Sequence, residues 1–229
     1  MGDERAPPAW LRDGVRAAWH EARADLATPW QMTRAPARFM DAWRAGRAEA
    51  LNPLAMLATG AALVAAAHQL AGAVVGIEHP DGIGDAVLSA LGPYAHYVAI
   101  GVLCHLVLAP RRTRDVRLLD TVAAALFAGA GPAALAEALG WLLICAIWPF
   151  VHAPWVGDVM LTIAFSVFCF SLASALGGLH RPTWWRIVLA FALAFPATGL
   201  VFGVLEPPGN YGLHWVVRLH DSPPVTLGM

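Results

Sequence analysis

Lysine is absent from this chain of 229 residues, and all fifteen of its basic residues are arginine. That substitution reads as a GC-rich, bacterial coding bias and not as a mechanism. Charge of either sign is scarce: 14% of residues are charged, where an ordinary soluble domain carries about a quarter. The net charge of −1 gives no footing for nucleic-acid binding. Only three cysteines occur, Cys104, Cys145 and Cys169, each inside an apolar run. They form neither a disulfide framework nor a zinc spacing, which leaves them as small buried apolar side chains. Also missing are G-x-S-x-G, a P-loop, H-E-x-x-H and the C-x-x-C-H of covalent haem attachment, so no enzyme class is indicated. The opening "MGDERAPPAW" leads into some fifty polar, arginine-rich residues. It has no cleavable leader pattern, and the first apolar run is expected to act as an uncleaved anchor.

What the chain does have is apolar sequence: 58% of its residues are hydrophobic. Crossing a bilayer takes about 20 mostly apolar residues. Five runs meet or approach that length, at 51–76, 91–109, 118–148, 156–178 and 184–205. The expected fold is therefore all-α: a polytopic bundle of five transmembrane helices over 51–205. Residues 1–50 precede it as cytoplasmic amphipathic helices, and 206–229 follow as a periplasmic tail.

Arginine sets the direction of these spans, because cytoplasmic loops retain positive charge. Eight arginines lie between Arg5 and Arg47. Arg111, Arg112, Arg114 and Arg117 occupy the loop after the second span, and Arg181 and Arg186 follow the fourth. The intervening loops "IEHPDGIGD" and "FVHAPWVGD" have none. This alternation places the N-terminus in the cytoplasm and the C-terminus in the periplasm of a bacterial inner membrane.

The third run is too long for one straight span, since 31 helical residues reach about 46 Å against a hydrocarbon core of about 30 Å. Pro132, at the end of "GAGP", marks a kink, or the junction of a half-helix with a full span. In the N-terminal segment Trp10, Leu11, Val15, Trp19 and Leu26 recur at helical spacing, and Phe39, Met40, Trp43 and Leu51 share one side of a second stretch. Such helices either lie in the headgroup layer with arginines towards anionic lipid or pack on the cytoplasmic ends of the bundle.

From residue 104 onward, Cys104-His105-Leu106, a short basic loop and "LLDTVAAALFAGAGP" follow one another. This succession resembles the Yip1-domain family, five-helix membrane proteins in which a basic or glycine-rich loop leads into a helix with a small-residue and proline step. The resemblance covers about residues 50–205, although "APRRTRD" stands where that family usually has Gly-Gly. It implies five helices and an inside N-terminus. By its eukaryotic members it also implies adaptors that bind small GTPases or shape membranes, whereas the bacterial members are mostly of unknown role. The stretch "RFMDAWRAGRAEALNPLAML" is similar to the entry of certain bacterial membrane families, where an arginine-rich amphipathic segment meets Asn-Pro at the first span.

Ionisable or strongly polar groups at membrane depth are costly, which makes each a candidate site. They are His68 and Gln69 in the first span, His96 and His105 in the second, and Asp120 and Glu137 in the third. Counted at about 1.5 Å per residue from the outer ends, His96, His68 and Glu137 lie at roughly 6, 12 and 16 Å, close enough to meet. Three readings compete for them. In the first they are interhelical hydrogen bonds, with Asp120 paired to Arg117 or Arg114. In the second Glu137 forms a proton or ion relay with His68 or His96. In the third His68 and His96 hold a haem, pigment or metal. The extramembrane His79, His152, His214, His220, Asp81, Asp158 and Asp221 show no tight metal spacing. Weighed together, these features lead to the expectation of a non-catalytic accessory or scaffold protein without a cofactor, whose partners are lipid and other membrane proteins or its own copies.

Overall fold

A computed structural model describes residues 27–48, 52–75, 83–109, 116–147 and 155–205, together with residue 23. Every regular element among them is helical: α1 (27–34), α2 (Pro36–Arg44), α3 (Pro53–Val75), α4 (Ile83–Leu108), α5 (Leu118–Ala128), a π-helical turn (Gly129–Ala133), α6 (Ala134–Ile147), α7 (Trp155–His180) and α8 (Trp184–Leu205). Three helices are long and apolar enough to cross a membrane: Pro53–Val74, Leu118–Ile147 and Val159–His180. Tyr94–Leu108 and Trp184–Gly199 are shorter apolar helices. The long helices are apolar around most of their circumference. This is how a segment reads when one side meets protein and the other meets lipid. Leu135, Leu139, Leu142 and Leu143 of α6 and Phe165 and Phe170 of α7 point outward, with Phe170 72% exposed.

The helix from Leu118 to Ile147 is the axle of the bundle, and α3, α4 and α7 pack around it. It passes Pro132 without breaking. Proline removes one backbone donor and crowds the turn before it, and the chain absorbs both effects by widening locally into a π-turn. Beyond the turn the backbone N–H of Ala134 donates to the carbonyl of Gly129. The run is thus one continuous helix with a bulge. Small residues bring neighbours close to it. A side chain at Gly129 would run into the ring of Tyr97 on α4.

The N-terminal helices are built into this bundle. Met32, Met40, Phe39 and Thr28 are buried, and Met32, Phe39 and Met40 join the main core with Phe127, Phe168, Leu172 and Leu176. Phe39 and Trp43 set their rings edge-on to Phe127 at 5.0 and 5.5 Å. Gly178 of α7 lets α2 lie almost backbone to backbone on it, because a Cβ there would stand 2.8 Å from that of Ala37. The apolar side marked in the sequence by Phe39, Met40 and Trp43 therefore faces protein. Leu51, the segment before residue 23 and the tail 206–229 lie outside the described residues.

α7 ends at Arg181, whose φ of 42° is the left-handed turn that often closes a helix; its N–H still bonds to Gly177 O at 3.1 Å. Pro182 follows and prevents the helix from resuming. A second core, made of Ala67, Ala71, Ala138, Trp141, Ile144 and Val156, joins α3, α6 and α7 at the opposite end.

Candidate functional site

The polar residues collect where α4 ends, α5 begins and α7 ends. Thr121, in the first turns of α5, is fully buried. Its Oγ1 stands 2.9 Å from His105 Nδ1 on α4 and 2.9 Å from His180 Nε2 on α7. One hydroxyl thus ties three helices, and the two imidazole centroids are 5.6 Å apart.

Proton accounting fixes the direction of this chain. A hydroxyl has one proton to give, so one of the two rings must donate to it. His180 is 7% exposed, and its Nδ1 has no hydrogen-bond partner among the described residues. A proton there would be a buried donor without an acceptor, the more expensive arrangement. For neutral rings the consistent assignment puts the proton of His180 on Nε2, donating to Thr121. Thr121 in turn donates to His105 Nδ1.

Asp120 stands beside this bridge. Its Oδ2 accepts the backbone N–H of Arg117 at 3.0 Å, a carboxylate at the third helical position reaching back to the residue that caps the helix. The same oxygen meets Nε of Arg44, at the end of α2, at 3.3 Å. The sequence suggested a side-chain pair of Asp120 with Arg117 or Arg114. Arg117 contributes its backbone N–H, Arg114 lies outside the described residues, and among the described residues an ionic partner comes from the N-terminal helices. Arg186 closes the assembly from α8, its Nη2 donating to the carbonyls of Val107 (3.3 Å) and Leu108 (3.4 Å) at the end of α4. The last carbonyls of a helix carry partial negative charge, which suits a guanidinium.

The other candidates lie elsewhere. His68 of α3 sets its ring edge-on to Trp141 of α6 at 4.7 Å. Glu137 is one turn before Trp141 on the same helix and lies near it, with Tyr94 and Tyr97 also close enough to interact electrostatically. Trp141 is thus the neighbour that His68 and Glu137 share. His96 and Gln69 are half-buried on α4 and α3. No cluster of three or more His, Cys, Asp or Glu side chains able to hold a metal occurs among the described residues. Arg111, Arg112 and Arg114 lie outside them.

Sequence reasoning singled out His105 and Asp120 but passed over Thr121, His180 and Arg44. In the sequence the fourth apolar run ends at 178, which leaves His180 in a loop. A hydroxyl next to an acid in the first turn of an apolar helix was the available signal for Thr121. Comparison with known proteins adds nothing to this geometry: no family model, no curated protein and no solved structure matches the chain.

Proposed function

We propose that this protein is a non-catalytic accessory or scaffold of a bacterial inner membrane, crossing it five times with its N-terminus and arginine-bearing end in the cytoplasm. Two further spans join the three long apolar helices in this reading. At about 1.5 Å per residue, α4 (26 residues) and α8 (22 residues) reach roughly 39 and 33 Å, enough for the hydrocarbon core. The alternation of arginines supplies the direction. The five-helix count and the "LLDTVAAALFAGAGP" step agree with a Yip1-like membrane protein.

One observation carries the scaffold reading. The polar side chains that converge inside the bundle are bonded to one another across α2, α4, α5 and α7, and their geometry holds helices together. Between Glu137 and His68 stands the ring of Trp141; an indole has one donor and no acceptor, a poor link for passing a proton directly from one to the other. The outward leucines of α6 and the phenylalanines of α7 supply the surface on which lipid or partner helices sit.

The test is a native mass spectrum of the complex extracted gently from its own membrane. Additional subunits at fixed stoichiometry are expected. A lone chain whose Glu137→Gln variant loses a measurable ion or solute flux would replace this reading with a transport pathway.

A further inference from the structure

A groove of about 400 Å³ opens on the outside of the bundle, where the α1–α2 junction crosses α7. Its upper wall is the turn from Arg34 to Arg38, and its floor is Phe170 and Ser174 of α7. Both arginines are exposed, and neither has a hydrogen-bond or ion-pair partner among the described residues. Phe170 and Ser174 belong to the apolar stretch Val159–His180. Counted back from His180 at about 1.5 Å per residue, they lie roughly 15 and 9 Å from its end. Two guanidinium groups without a partner among the described residues therefore hang beside a surface that, in the reading above, faces lipid.

We infer that this groove binds an anionic phospholipid, its phosphate between Arg34 and Arg38 and an acyl chain along Phe170. The inference rests on the membrane-spanning reading of α7. Charge complementarity selects the occupant. A guanidinium at or below the membrane surface is expensive without a counter-charge, and its planar fork fits phosphate oxygens in pairs. Long arginine stems also let the charged ends rise towards the headgroups while their methylenes cover apolar surface. The exposed Phe170 ring distinguishes a lipid from a soluble phosphate, because it gives an alkyl chain a seat that a free anion does not use. An acidic water-soluble peptide would satisfy the arginines but has no reason to descend along α7.

The test uses the full-length protein in nanodiscs and native mass spectrometry, with phosphatidylglycerol and phosphatidylcholine of identical acyl chains in equal amounts. Wild type should keep at least one phosphatidylglycerol in preference to phosphatidylcholine. The Arg34→Gln/Arg38→Gln double variant should lose that preference by about 30-fold, taking the usual surface contribution of two arginines. Arg47→Gln, an exposed arginine outside the groove, should retain it. Ser174→Trp, which fills the floor and leaves both charges, should lower retention as well. Equal retention in wild type and the double variant overturns the inference, as does an equal loss in Arg47→Gln, which would make the effect one of general charge. Displacement of the retained lipid by a soluble acidic peptide, with no change in Ser174→Trp, would assign the groove to a protein segment. A chain that alkaline carbonate strips from membranes would remove the membrane-spanning reading itself. A chain that stays embedded without lipid preference removes only the groove.

Discussion

At its arginine-bearing end the bundle joins α4, α5 and α7 through one buried hydroxyl and fastens α2 to α5 through Arg44 and Asp120. At the opposite end α3, α6 and α7 meet through Ala67, Ala71, Ala138, Trp141, Ile144 and Val156, with the His68 ring resting on Trp141. Lipid tails are as apolar as leucine, so burying leucine between membrane helices gives little drive for association. Close packing and interhelical polar contacts must supply it. The two ends combine these means in different proportions. Small residues allow close approach and tolerate sliding, whereas a hydroxyl shared by two imidazoles fixes three helices at one height. The end where the chain also threads two extra helices is the one fixed in position.

The largest way to break this contrast is Phe127→Ala. Phe127 is fully buried and takes the edges of both Phe39 and Trp43, so its loss should cost about 3–5 kcal/mol. The loss should be local. Hydrogen exchange over Pro36–Arg44 should rise strongly while the α3–α6 contact around Trp141 stays protected. A uniform rise at both ends would mean that the bundle responds as one unit and that the contrast has no energetic meaning.

Gly129→Ala comes next. The new methyl collides with the Tyr97 ring, and overpacking of this kind costs about 1–3 kcal/mol. Tyr97 is itself stacked on Phe168, with centroids 4.4 Å apart, so it has little room to retreat. Thermal unfolding in detergent should show a lower midpoint for Gly129→Ala, partly recovered when Tyr97→Leu is added. An additive loss in the double variant would show that the clash is not what limits Gly129.

The contrast between the two ends was only half legible in the sequence. Apolar runs and arginine alternation mark helices and ends directly, because each is a property of a single segment. The amphipathic side of Phe39, Met40 and Trp43 is equally local, but whether it meets lipid or protein depends on what lies opposite. Gly178 on α7 is one of the residues that make room for α2. His105 and Asp120 stood out as ionisable groups in apolar surroundings. Thr121 did not, since a threonine in a membrane helix is unremarkable until two histidines from segments 16 and 59 residues away converge on it. Pro132 was legible as a disturbance, but not as a π-turn within an unbroken helix, because that choice depends on how the neighbours of Gly129–Ala133 pack.

The smallest expected effect sharpens the comparison most. Thr121→Val keeps the shape of the side chain and removes its hydroxyl, leaving His105 Nδ1 and His180 Nε2 without the oxygen they share at 2.9 Å. A buried group that loses its partner costs about 1–3 kcal/mol in soluble proteins, and interhelical polar contacts in membranes average nearer 0.6. A loss of about 1 kcal/mol is expected, where the two ranges meet. Thr121→Ser, which restores the hydroxyl, should stay close to wild type. The decisive measurement is the cycle with His180→Leu. Where the hydroxyl acts mainly through His180, Thr121→Val should cost clearly less in the His180→Leu background, and ring-nitrogen NMR of His105 should lose the hydrogen-bonded signature of Nδ1 in either Thr121→Val protein. Strict additivity would instead separate Thr121 from His180, reducing the bridge to two neighbours that happen to touch and leaving Arg44–Asp120 and Arg186 as the polar ties of that end.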